Sequence, residues 1–165
     1  MKLTVLGSGS PEAYLRRASS GYLLDIGDDV VLFDCGGGVY DNLLRAGRKP
    51  SEITHIFFSH LHSDHMMDYA RLIHAAWDEG GRPVQVFGPD PIGFITQGYF
   101  RTAGCCHMIC ATGPNCCPVR EVWWRWRHLA PLRPAPDVTE ITPGFTFQGN
   151  GWRLTRARCP THSPR

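Results

Sequence analysis

The chain has 165 residues, 42% hydrophobic and 19% charged, with a formal net charge of +2. That is enough chain to bury a core as one domain spanning residues 1–165, and the near balance of charge gives no sign of a global nucleic-acid or membrane partner while leaving room for a local patch. No run of about 18 apolar residues occurs, and the apolar stretch before Gly7 is too short for a signal-peptide core; a cytoplasmic protein without a membrane partner is expected.

In chain order, "KLTVLG" reads as a β-strand ending in the glycine-rich "GSGSP", and "GYLLDIGDDVVLFDCGGG" as two strands around an Asp28-Asp29 turn. Val39, Tyr40, Leu43 and Leu44 recur with helical spacing until Gly47 stops the helix. "KPSEI" links to the strand "THIFFS", which delivers "HLHSDH" at its C-terminal end. A second helix follows, with Tyr69, Leu72, Ile73 and Ala76 on one stripe and Gly80-Gly81 closing it, and then the strand "PVQVFG". Alternating β and α elements predict an α/β layered domain with a mostly parallel or mixed sheet, whose ligands gather at the C-terminal strand ends.

Residues 104–136 break this order: they hold five cysteines and three tryptophans with no clear period. Three readings stand. The segment is a small metal module, although its Cys doublets do not follow paired C-x-x-C spacing; or "REVWWRWRH" is an exposed loop for a single-stranded nucleic acid; or the stretch is translated out of frame. Beyond it, "FTFQ" and "WRLTRA" flank a Gly-Asn-Gly turn as a predicted hairpin.

Three histidines and an aspartate between positions 60 and 65 point to metal, because a core would have to satisfy three imidazoles at once and a solvated loop has no need of them. Residues two apart in an extended loop point the same way, so His60 and His62 can face one cation. Adjacent side chains diverge, which favours Asp64 and His65 serving a second cation beside the first. Imidazole with carboxylate suits Zn²⁺ first, with Mn²⁺ or Fe²⁺ as alternatives.

"HLHSDH" resembles the signature of the metallo-β-lactamase superfamily, and "TVLGSGSP", "RRASSGYLL", "VVLFDCGGG", "LLRAGRKPSEITHIFFSHLHSDH" and "VFGP" follow the order of its branch containing ribonuclease Z. The resemblance implies the αββα sandwich of that superfamily, here its N-terminal half plus the irregular Cys/Trp-rich segment. It also implies a first zinc on His60 and His62 and a second on Asp64 and His65, with Asp64 handling the proton of the attacking water. Asp34 in "LFDCG" corresponds to a residue that orients a ligand or the loop, the alternative being a strand-end carboxylate. His162 corresponds to the family's third histidine for the first zinc, the alternative being a terminal histidine without a ligand role.

The implied activity is zinc-dependent hydrolysis of a phosphodiester or other ester, RNA among the substrates. After "SDH", however, the chain continues "MMDYARLIH" where ribonuclease Z itself carries a "GLPG" type of sequence, favouring a hydrolase relative over a committed tRNA nuclease. The family's bridging aspartate, further histidine and second αβ half have no counterpart here. The chain is therefore expected to be an N-terminal fragment with an exposed apolar sheet face, open to homo-oligomer formation, holding one or two zincs. Two other classes remain in view: a catalytically inert or weakly metal-binding fragment, and a nucleic-acid-binding module working through the Trp/Arg segment.

Overall fold

The computed structural model describes residues 1–12, 14–100 and 134–157. Strands β1 (Lys2–Gly7), β2 (Gly21–Ile26) and β3 (Asp29–Phe33) pair antiparallel, and β4 (His55–Phe57), β5 (Gln85–Gly88) and β6 (Asp137–Glu140) continue parallel from β3. The result is a mixed six-stranded sheet in the order β1-β2-β3-β4-β5-β6. The β2–β3 turn lies one residue earlier than the sequence predicts, at Gly27-Asp28. Gly27 takes a φ of 60°, as glycine does at the first central position of a two-residue hairpin turn.

Parallel neighbours need crossovers, and helices supply them. Helix α1 (Val39–Arg45) joins β3 to β4, and the short α2 (Ser63–Met66) with α3 (Tyr69–Asp78) joins β4 to β5. Helix α4 (Ile92–Phe100) follows β5. The α3 stripe of Tyr69, Leu72, Ile73 and Ala76 is buried as its spacing predicts. In α1 only Val39 and Leu43 are buried; Leu44 is exposed, and the half-buried Tyr40 ring carries the Arg71 guanidinium 4.0 Å from its centroid.

Strand alternation sorts the sheet into two apolar faces. Leu23, Leu32, Ile56 and Val86 lie in register across four strands and pack against the helices, each fully buried. Each such side chain contributes about 1.5–3 kcal/mol of transfer free energy relative to exposure. On the other face Val31, Phe57, Phe87 and Ile141 form a second core. The hairpin of β7 (Thr146–Gln148) and β8 (Arg153–Thr155) lies over it, bringing Phe145, Phe147, Trp152 and Leu154. Trp152 Nε1 donates to Asp29 Oδ2 at 2.7 Å and pins the hairpin to β3.

The expected exposure of a sheet face is thus confined. The hairpin covers the centre, while edge strand β1 leaves Leu3 and Val5 about 60% exposed. Of the irregular Cys/Trp-rich segment only Pro134, Ala135 and Pro136 fall within the described residues. Among those residues no helix is long and apolar enough to cross a membrane.

Candidate metal centre

Two loops at the C-terminal ends of adjacent parallel strands build the site, the position where open α/β sheets place their ligands. After β3 the chain turns sharply at Asp34, whose φ of 58° is left-handed; aspartate tolerates that region better than most side chains. After β4 the chain runs through Ser59 and the histidines into α2, with His62 extended at the helix entry.

Backbone bonds sew these loops together. Cys35 N–H donates to the His65 carbonyl at 2.6 Å, Asp68 N–H to the Cys35 carbonyl at 3.0 Å, and Ser20 N–H to the Asp64 carbonyl at 3.1 Å. Gly36 sits inside this seam: a Cβ there would lie 2.0 Å from the Asp64 carbonyl oxygen, so only glycine permits the approach.

His60, His62 and Asp64 come together, with one ligand atom from each lying within 4.8 Å of the others. His62 is exposed, His60 partly so, and Asp64 is buried. His65 is adjacent. Its Nε2 lies 3.2 Å from Asp64 Oδ2 and its ring centroid 3.9 Å from that of His60. Asp64 therefore lies close to both the His60–His62 pair and His65.

Asp34 is the anchor beneath. Its buried carboxylate accepts the Ser59 N–H at 2.8 Å, the Ser59 hydroxyl at 3.0 and 2.9 Å to its two oxygens, and His65 Nδ1 at 2.7 Å, with Ser20 Oγ at 3.4 Å. Asp34 is thus bonded to both the Ser59 backbone and the His65 ring of the histidine loop. Ser59 and Ser20 are the residues that sequence reasoning passed over; the only local signal was a hydroxyl immediately before the first histidine. His162 lies outside the described residues.

Electrostatics favour a neutral ligand ring at His60. Its pKa lies below the usual histidine value, first through desolvation, then through the neighbouring His65 and His62, against the opposite pull of Asp34 and Asp64. A neutral imidazole is the form that binds a metal.

The donor set fits a cation. Asp64 Oδ1 is buried without a hydrogen-bond partner among the described residues, a costly state for a carboxylate oxygen unless something positive completes it. Two imidazoles and a carboxylate with room for a further ligand suit zinc.

A match to the Metallo-beta-lactamase superfamily model spans residues 15–164, and the chain belongs to that superfamily. Within it, the chain is 31% identical to the Ribonuclease Z of Mycobacterium sp. (strain KMS), over 99% of this chain and 54% of that protein. It is likewise 31% identical to the Ribonuclease Z of Mycobacterium avium (strain 104), over 92% of this chain and 51% of the relative. The chain thus spans about half the length of these curated relatives. Among solved structures, the metallo-beta-lactamase fold protein YhfI from Bacillus subtilis superposes with a TM-score of 0.64 at 19% identity, over 93% of this chain and 50% of its own. Human tRNase Z, short form, does so with a TM-score of 0.55 at 31% identity, over 60% and 38%.

Proposed function

We propose that this chain is a zinc-dependent hydrolase acting on phosphodiesters, RNA foremost. The observation that carries the reading is the grouping of His60, His62 and the buried Asp64 within ligand distance of one another, with Asp64 Oδ1 lacking a hydrogen-bond partner among the described residues. Zinc held there supplies a Lewis acid for the phosphoryl oxygen and lowers the pKa of an attacking water.

The protein's own groups then have defined tasks. His60 and His62 bind through ring nitrogens and Asp64 through Oδ1. His65 Nδ1 bonds to Asp34, which turns the ring so that Nε2 faces Asp64 Oδ2 across 3.2 Å. A second cation would be held between His65 Nε2 and Asp64 Oδ2, in the place a proton on the ring would otherwise take. The same carboxylate is assigned the proton of the nucleophilic water. On the loop between β1 and β2, Arg16 and Arg17 are exposed, and the loop's far end is fastened to the site through Ser20 N–H and the Asp64 carbonyl. Exposed guanidinium groups on a loop whose far end reaches the site suit a polyanionic substrate. The relatives named Ribonuclease Z support RNA as that substrate.

A second reading, a fold that holds one metal without turnover, is favoured by a different observation. Among the described residues only one group of three metal-capable side chains is present. Metal analysis with an activity assay separates the two. About two zincs per chain, hydrolysis of bis(p-nitrophenyl) phosphate and of a tRNA precursor, and loss of both activities in His62→Ala support the hydrolase. One zinc or none, with neither substrate cleaved, supports the second reading.

A further inference from the structure

We propose that Ser59 is a positioning residue that sets the tautomer of His60 by relaying the Asp34 carboxylate to it. The inference rests on the metal-binding reading above and extends it to a residue outside the ligand set.

The argument is one of counting hydrogens. Ser59 Oγ lies 3.0 and 2.9 Å from the two Asp34 oxygens and 3.0 Å from His60 Nδ1. A hydroxyl has one hydrogen and two lone pairs, and an ionised carboxylate only accepts. The Ser59 hydrogen is therefore committed to Asp34, because any other orientation would set oxygen lone pairs against each other at about 3 Å. What the hydroxyl has left for His60 is a lone pair, so His60 Nδ1 must carry the ring hydrogen. Nε2 is then the only lone pair that His60 can offer to a cation.

The relay is held in place by independent contacts. Ser59 N–H donates to Asp34 Oδ1 at 2.8 Å, which fixes the backbone that carries the hydroxyl. Asp34 N–H donates to the Phe57 carbonyl at 3.0 Å, which ties the carboxylate to the end of β4. The same carboxylate receives His65 Nδ1 directly at 2.7 Å. One buried aspartate thereby orients two imidazoles, His65 by contact and His60 through Ser59. His62 has no hydrogen-bond partner of this kind among the described residues.

The test uses the full chain, stripped of metal with a chelator, at about pH 8, where histidine is neutral. Long-range ¹H–¹⁵N spectra report the ring tautomer of each histidine. In the unaltered chain His60 is expected as the Nδ1–H form. In Ser59→Ala its Nε2–H form should appear while His62 stays as it was, and the zinc dissociation constant should rise about 10- to 100-fold in competition with a chromophoric chelator. Ser59→Thr, which keeps the hydroxyl at an exposed position, should restore both.

An unchanged His60 tautomer in Ser59→Ala overturns the relay, and so does a loss of zinc affinity that Ser59→Thr fails to restore, since that would mark a packing role. A chain that takes up no zinc would overturn the proposed function instead, while the metal-free spectra still decide the relay.

Discussion

Asp34 gathers hydrogen bonds from Ser59, His65 and Ser20 behind the candidate metal loop. Its left-handed backbone aims the carboxylate at Ser59 and His65, and every hydrogen bond it makes there is as an acceptor. Asp34→Asn keeps size and tolerates the same φ, yet replaces one acceptor with an NH₂ that must face a donor already pointing at it. Zinc affinity should fall about 10- to 100-fold, read by chelator competition, with stability lower by about 1–3 kcal/mol in urea unfolding. Unaltered zinc affinity would show that His65 and His60 do not depend on this carboxylate for their orientation.

At the scale of elements, the site is a seam between two loops that follow neighbouring parallel strands. The strands supply the parallel register, Phe33 beside Phe57 and Phe57 beside Phe87, and the loops then meet through backbone bonds that only a residue without a side chain allows at position 36. Gly36→Ala places a Cβ against the Asp64 carbonyl, and backbone cannot rotate away as a side chain would. The expected cost is about 1–3 kcal/mol, measured by urea denaturation of the metal-free chain. Zinc affinity should weaken as well, because Asp64 and His65 move with the displaced carbonyl. A variant with both properties intact would mean that the seam can widen without disturbing the ligands.

Across the whole molecule, two histidines remote from the ligand loop link stability to pH. His55 lies in the aromatic second core beside Phe57, Phe87, Phe147 and Trp152, and His74 packs near Phe100 with its Nε2 buried. Burial lowers the pKa of both, against weaker opposing pulls from Asp29 and Asp78 respectively. The unfolded chain therefore binds protons that the folded chain resists. Stability from these rings is fully present above the unfolded value of about 6.5 and is lost as pH falls through the lowered folded values. Asp78, raised by burial, acts in the opposite sense from about pH 4 upward. Urea midpoints should decline from about pH 7.5 to about 5.5; a flat profile would mean that neither ring is held neutral by the fold.

The sequence by itself determined the superfamily, the order of the first strands and helices, the buried stripe of α3 and the residues of the candidate metal loop. Those features are local: they depend on period, on glycine punctuation and on a dense run of metal-capable side chains. It did not reveal α4, whose residues Ile92–Phe100 are apolar on most sides and show little helical periodicity, or β6, whose alternation is weak because three of its four residues are exposed. Only the tertiary structure decided that Asp64 lies close to the His60–His62 pair as well as to His65, that Asp34 and Ser59 stand behind them, and that the β7–β8 hairpin covers the second sheet face. These facts join residues up to 123 positions apart, as Asp29 and Trp152 are, through strand register and loop contact. No short window of sequence contains both partners of such a contact.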